Sequence, residues 1–481
     1  MKFIFPQLIL AGDERIESYQ EDTMMRGSAD AVLRARDVQE IAEVLRYCHA
    51  QKIPVTFCGS QTSMTGASVA ESGILISTEN LTRVLDIGKN FAVAEPGITI
   101  TELKKAVAEK GGFYPPAPTS QDDARIGATV STNATGEDSF QYGTTRKYIR
   151  AIKVLMADGT KKTFTRAPNE KFPDELNRAG YFPNSQNPID LFIGGEGTLG
   201  FIYEVTVDLV PLPPGFFAAL APFPSWEKAV AFVVQVIQEG KLKARALELI
   251  DHGALAIMKT DPQFPKSLEG AQTLIYFKQE YRDDAELEQL LTDWLEKIEQ
   301  FSSPALTQNI LIATTDKQKE EIRKLRHHIP QAINETWRPY RKVGGGKVGS
   351  DWWVPVPQLE KMMHFVYSEG AKLSIPFLAF AHIGRGHPHV NYLCKTAEEK
   401  QRAEAMLLQC CRKAVELGGG VSGEHGIGKL HRDLLPIQWP QEKIDWMRKV
   451  KSEYDPDWIL GRGNILTPVS LRGSFDRSNP E

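Results

Sequence analysis

The stretch "LFIGGEGTLGFIYEVTVDLVP", Leu191 to Pro211, runs a cluster of glycines and small residues straight into an alternating apolar segment, Ile202 to Leu209. Alternation with a period of two predicts a half-buried strand. The glycines ahead of it let the main chain approach a bound group closely. The same arrangement occurs twice upstream. In "IPVTFCGSQTSMTG", Ile53 to Gly66, a short β-rich run opens into a loop of Gly, Ser and Thr from Cys58 to Gly66, whose N–H groups and hydroxyls suit a phosphate. Before it, Val38, Ile41, Leu45 and Cys48 recur at the spacing of one helix face. Between these two lies "GGFYPPAPTSQDDARIGATVSTNATGEDSFQYGTTRKYI", Gly111 to Ile149, followed by the β-patterned "AIKVLMADG". A tight turn explains any one of these loops. Three of them, each beside a strand, call for a large planar cofactor carrying a pyrophosphate.

Composition narrows the class of protein. A chain of 481 residues, 42% of them hydrophobic, supports two to four domains rather than one core. Net charge is −4 with the signs mixed and no long basic block, which excludes the electrostatic footprint of a nucleic-acid binder and points to a small substrate. The five cysteines, Cys48, Cys58, Cys394, Cys410 and Cys411, form no CxxC pair, so neither an iron–sulfur cluster nor a zinc ribbon is expected. The start, "MKFIFPQLILAGDERIE", has one lysine and a short apolar run broken by Pro6, unlike a signal or transit peptide. No run approaches the roughly 20 apolar residues of a membrane span. A cytoplasmic protein without a membrane span is expected.

Pro211, Pro213 and Pro214 punctuate a boundary, after which "PSWEKAVAFVVQVIQEG" restarts a helical pattern. Helix-like stretches such as "DDAELEQLLTDWLEKIEQF" then alternate with β-rich runs such as "AQTLIYFKQ", predicting an α+β domain with helices on one face of its sheet. Inside it, "FLAFAHIGRGHPHVNYLC" places His382 at the end of one β-like run and His389 in the next. Further on, "GGGVSGEHGIGKLH", Gly418 to His431, sets Glu424 beside His425 among small residues. Two imidazoles on adjacent strand ends and one carboxylate make a metal-ligand set, His382, His389 and Glu424, with His387 as an extra candidate. The plainer alternative is a polar hairpin and a solvated turn.

The ordered motifs "GSQTSMTG", "PTS…IGATVSTNATG…YGTTRKYI" and "GGEGTLGFIYEVTV" resemble the flavin-binding domain of the vanillyl-alcohol oxidase and p-cresol methylhydroxylase superfamily, over about Arg26 to Leu212. The resemblance implies an α+β fold, with a two-part FAD-binding domain and an α+β cap domain bearing an antiparallel sheet. It implies that Gly59, Ser60, Gln61, Thr62, Ser63 and Gly66 meet the FAD pyrophosphate. Pro118, Thr119, Gly127, Ser131 and Asn133 would lie along the flavin and ribityl chain, and Glu196, Gly197, Gly200 and Ile202 near the adenosine side. Two positions depart from the pattern: Ser60-Gln61 stands where members usually keep glycines, and Thr135 where Asn-Ala-Gly-Gly is common. No histidine sits in these loops for a covalent link, so FAD is expected to be non-covalent.

"HIGRGHPHVN" and "SGEHGIG" resemble the C-terminal domain of FAD-linked D-2-hydroxy acid dehydrogenases, the D-lactate, glycolate and D-2-hydroxyglutarate group, which extends the likeness over nearly the whole chain. It divides the chain into an FAD domain, 1–215, a cap domain, 216–440, and a segment returning to the FAD domain, 441–481. It implies a divalent metal, zinc or manganese, on His382, His389 and Glu424, with His425 as the base and Asn391 near the substrate. An arginine fork suits the substrate carboxylate; the family's falls on Arg326 in "EIRKLRHHIPQAI", with Lys347 as a second candidate. Members commonly read Asp-Gly-Asn where this chain has Arg385-Gly386-His387, and Asn-Pro-Gly-Lys where it has Gly461-Arg462-Gly463-Asn464. The implied reaction is oxidation of a D-2-hydroxy acid to the 2-oxo acid by proton abstraction and hydride transfer to flavin, with an unidentified electron acceptor. A homodimer is compatible with all of this. The same scaffold also hosts metal-independent alcohol or aryl-alcohol oxidases and alkyl transferases, and could serve as a non-catalytic FAD-binding subunit.

Overall fold

The computed structural model describes residues 5–167, 170, 176–182 and 187–468. The first four residues of the stretch examined for a targeting signal, and the end of the segment 441–481, lie outside them. The chain forms two compact units: Met1–Thr135, Thr144–Leu212 and Glu424–Glu481 make the first, Gly136–Gly143 and Pro213–Gly423 the second. Among the described residues, no helix is long and apolar enough to cross a membrane.

In the first unit Ala31–Arg34, Ile74–Ser77 and Val55–Cys58 form a parallel sheet in that spatial order, with Ile9–Leu10 antiparallel at its edge. Helix Val38–Gln51 makes the crossover. Asp37 caps it by accepting the Glu40 N–H, and Lys52 ends it in the left-handed region. The expected face packs inward: Ile41, Leu45 and Cys48, joined by Val44, are buried against Val55, Ile74 and Ile76, while Val38 is only partly buried. The Val55–Cys58 edge is covered. Val55 donates its N–H to the Ile459 carbonyl at 2.7 Å and accepts from Gly461 at 2.8 Å, so the C-terminal segment occupies an edge that could otherwise pair with another chain.

A second, antiparallel sheet follows the order Val84–Ile87, Phe91–Ala94, Phe201–Asp208, Ile149–Leu155, Lys161–Thr165. The strand foreseen from the alternation thus lies at its centre, beginning directly after Gly200. A Cβ on Gly200 would come within 2.4 Å of the Val154 side chain, so packing alone requires glycine there.

The second unit is built on a seven-stranded antiparallel sheet in the order Leu311–Ala313, Gly215–Phe223, Thr273–Tyr281, Ala244–Ile250, Phe377–His382, His387–Cys394, Gly346–Gly349. Helices cover both faces, not one as expected from the pattern. Tyr276 and Leu274 pack with helices His252–Met258 and Asp316–Trp337. Their neighbour Phe277 points the other way and stacks on Trp294 of helix Asp284–Glu299, centroids 4.1 Å apart. Two-sided burial explains why strands such as "ARALELI" are buried at every position and do not alternate. The short segment Gly136–Gly143, which comes from the first half of the chain, is held in this unit by two ion pairs, a buried one of Asp138 with Arg245 at 2.5 Å and a half-buried one of Glu137 with Lys278 at 2.9 Å.

Candidate active site

The three small-residue loops converge within the first unit. Glu196 donates its N–H to the Ser131 carbonyl at 2.8 Å and Gly194 to that of Val130 at 3.0 Å, tying the third loop to helix Ile126–Thr132 of the second. A Cβ on Gly59 would meet Ala128 at 3.0 Å, and one on Gly197 would meet the Phe57 ring at 3.2 Å, so the first loop touches both. Among the described residues the main-chain N–H groups of Ser60 to Met64 have no hydrogen-bond acceptor, and Gln61 lies in the left-handed region with φ 52°. A run of free N–H groups around a left-handed residue forms a concave anion cradle. The side chains explain the departure from glycine: the Ser60 hydroxyl donates to the Asp123 carbonyl and the Gln61 amide to that of Tyr19, both facing protein. Thr62 is exposed, and the Ser63 hydroxyl pairs with that of Thr65 at 3.0 Å. Gly66 N–H is taken by Asp22.

The other cofactor candidates divide by role. Pro118 is buried and Thr119 exposed at the mouth of the second loop. Gly127 lies against Pro96, where a Cβ would clash at 2.5 Å, and its carbonyl accepts the Ser131 hydroxyl. Asn133 ends the helix at φ 48° and accepts the Arg146 N–H. Ile202 lies in the sheet opposite Val154. Glu196 is fully engaged within the protein: its carboxylate accepts the N–H groups of Ile427 at 2.7 Å and Gly428 at 2.6 Å. Burial pushes its carboxyl up to about 7 against the lowering effect of those donors and Lys429.

In the second unit, strand register gathers the remaining candidates on one face. Phe380 lies opposite His389, Leu378 opposite Asn391, and Lys347 opposite Leu393. Since side chains alternate, His382, His389, Asn391 and Lys347 share the face that carries Glu248 and Tyr276. The His382 and His389 rings lie 5.4 Å apart. His382 Nδ1 bonds to Glu248 Oε1 at 2.6 Å, which leaves Nε2 as the nitrogen of that ring suited to a metal. His387 bonds instead to Asp351 at 3.1 Å. Asn391 donates to the His389 carbonyl and stands across from Gly349, where a Cβ would lie 3.1 Å from its oxygen. Lys347 bonds to Asn334; burial, with Arg341 nearby, pushes it down to about 8.

Arg326 reaches this face from helix Asp316–Trp337, whose buried stripe is Ile322, Leu325, Arg326, Ile329 and Ile333. It is 5% exposed. Its Nε donates to Glu248 Oε2 at 2.6 Å, and its guanidinium lies 5.9 Å from the Phe380 centroid. Neither Nη group has a hydrogen-bond acceptor among the described residues. Burial opposes ionisation of Glu248, but Arg326 and then His382 outweigh it and hold the carboxyl well below the usual range. Glu248 escaped the sequence reasoning, although a carboxylate inside the apolar run "ALELI" is itself a signal. Gly423, the last residue of this unit, donates its N–H to the Asp351 carbonyl, and a Cβ there would lie 2.9 Å from the His387 ring.

The family model for FAD linked oxidases, C-terminal domain, matches residues 213–465, and that for an FAD binding domain matches 29–165. The chain belongs to the FAD-linked oxidases. It is similar to a D-lactate dehydrogenase of Anaerostipes hadrus, 29% identical with 96% of each chain covered. It is also similar to glycolate oxidase subunit GlcD of Bacillus subtilis, 28% identical over 94% of this chain and 92% of that one. A D-2-hydroxyglutarate dehydrogenase of Stutzerimonas stutzeri is 26% identical with 96% of each chain covered. Among solved structures, the 4-ethylphenol oxidase from Gulosibacter chungangensis superposes with a TM-score of 0.72 at 15% identity, covering 97% of this chain and 95% of that one. An alkyldihydroxyacetonephosphate synthase gives 0.67 at 15% identity, covering 95% and 82%. These two likenesses concern the fold alone. FAD-linked oxidases need a seat for a pyrophosphate, and the acceptor-less N–H groups of 60–64 fit one.

Proposed function

We propose that this FAD-linked oxidase oxidises a D-2-hydroxy acid of the lactate, glycolate or 2-hydroxyglutarate type to the 2-oxo acid, with a divalent cation on His382, His389 and Glu424 and non-covalent FAD. The observation that carries this is Arg326: a buried guanidinium whose Nη groups have no acceptor among the described residues, on the sheet face that bears the two imidazoles. Its fork suits a carboxylate. When bound, FAD supplies the acceptor for the electron pair of the C2–H bond, and the cation supplies Lewis acidity at the hydroxyl oxygen. The residues do the rest. Arg326 binds and orients the carboxylate, with Lys347 adding positive charge on the same face and Asn391 a polar contact. Glu248 fixes the His382 tautomer and balances Arg326, so the anionic substrate meets a preset array. His425 accepts the hydroxyl proton as C2 loses hydride and the carbonyl forms. The names of the relatives, D-lactate dehydrogenase, glycolate oxidase subunit and D-2-hydroxyglutarate dehydrogenase, agree in substrate class.

The test is an anaerobic flavin-bleaching screen of D- and L-2-hydroxy acids. D-acids are expected to bleach the flavin and L-acids not. Bleaching by a simple aromatic alcohol in metal-stripped protein, and by no hydroxy acid, would refute the proposal.

A further inference from the structure

Glu196 was assigned above to the neighbourhood of the cofactor, yet its hydrogen bonds run elsewhere. The two carboxylate oxygens accept consecutive main-chain donors, Ile427 and Gly428, at 2.7 and 2.6 Å. These follow Glu424 and His425 by two to four residues. Gly426 between them has φ 84°, and a Cβ on it would come within 2.5 Å of Glu196 Oε1. Glu196 itself is left-handed, φ 50°, which is uncommon outside glycine.

The surrounding bonds make a closed clamp. Lys429 Nζ donates to Asn464 Oδ1 at 2.7 Å and to the Gly66 carbonyl at 3.3 Å. Asn464 Nδ2 donates to the carbonyls of Ala67 at 2.8 Å and Glu196 at 2.9 Å. The turn behind His425 is thereby fastened to the first cofactor loop through Gly66 and Ala67 and to the third through Glu196. Asn464 closes the stretch Gly461-Arg462-Gly463-Asn464.

We propose that Glu196 is a positioning residue, which sets the Glu424–His425 turn against the cofactor cradle without itself contacting substrate. This rests on the proposed role of His425 as base. Each of the two N–H donors meets its own carboxylate oxygen, whereas a carboxamide of the same shape has one oxygen and turns an NH2 toward the other donor. In Glu196→Gln one of the Ile427 and Gly428 donors loses its partner.

The experiment uses the FAD-loaded protein with Glu196→Gln and, should that variant fold poorly, Asn464→Ala, which opens the clamp from the other side. Hydrogen exchange of the peptide spanning 424–430 is expected to speed up on the order of 10- to 100-fold, the range set by an unsatisfied buried donor. FAD content should stay at one per chain, while substrate-driven flavin reduction slows and its pH profile changes shape. Loss of FAD with unaltered exchange would overturn the proposal and make Glu196 a cofactor contact. Faster exchange with unaltered reduction kinetics would overturn it equally. The exchange measurement needs no substrate, so it stands even if no 2-hydroxy acid bleaches the wild-type flavin, an outcome that would count against the proposed reaction instead.

Discussion

Glu248→Gln is the substitution in which stability, metal affinity and substrate binding are all at stake. The carboxylate divides its oxygens between Arg326 Nε and His382 Nδ1, each at 2.6 Å, and is 2% exposed. A glutamine of the same shape keeps one acceptor and turns an amide NH2 toward the other donor. Arg326 is then buried without its counter-charge, and breaking a buried pair this way costs about 3–5 kcal/mol. If His382 loses its support, metal affinity should fall about 10- to 100-fold, the usual effect of removing a ligand's hydrogen-bond partner. Urea unfolding of the FAD-loaded variant measures the first effect and a metal titration with elemental analysis the second. Adding Arg326→Met should recover part of the stability, because it removes the buried guanidinium that Glu248→Gln leaves without a counter-charge. It should recover none of the substrate affinity. The acid limb provides a check of sign. A carboxyl held below its ordinary 4.5 contributes stability above that pH and loses it as pH falls toward the folded value, so wild type and Glu248→Gln should converge below pH 4.5. Wild-type stability and wild-type metal affinity in the single variant would refute the claim that one carboxylate supports both residues.

Arg326→Lys should weaken substrate binding by about 2–3 kcal/mol in kcat/KM with flavin retained, because an ammonium cannot reproduce the two-pronged contact; unchanged kinetics would shift the carboxylate site toward Lys347. Glu424→Gln should lower bound metal by elemental analysis, whereas His425→Asn should keep metal and slow anaerobic flavin reduction about 10²- to 10⁴-fold; metal loss confined to His425→Asn would reverse the two roles. Lys347 is pushed down to about 8 in the folded protein from 10.5, so the unfolded chain binds the extra proton between these values and wild-type stability should rise with pH across that window. Lys347→Met should therefore be more stable than wild type at pH 7, with the margin shrinking toward pH 10.5 in parallel urea titrations.

The order of the three loops was legible because each pairs small residues with a strand, and local periodicity needs no knowledge of the fold. The spacing of His387, His389 and Asn391 in "HPHVN" already implies a common strand face. Lys347 could not be placed with them from the sequence, since its strand pairs with one about 45 residues later and register across that distance depends on packing. Glu248 was hidden for a different reason: its strand is buried on both sides, so no alternation marks the face it occupies. The transfer of Gly136–Gly143 into the second unit left no trace either, because what holds it are ion pairs to Arg245 and Lys278, more than 100 residues away.

The covered edge at Val55 has a consequence for how the protein comes into being. During synthesis the parallel sheet can assemble long before Ile459 and Gly461 exist, and throughout that interval its outer strand presents unpaired main-chain groups. The Glu196 carboxylate waits over the same interval for Ile427 and Gly428. A ribosome stalled before Ile427 would therefore hold an FAD-binding part that is adhesive at one border and unclamped at its third loop. Once Ile459 and Gly461 are in place that border closes, so a chain truncated before them should associate through the strand Val55–Cys58 where the intact chain does not.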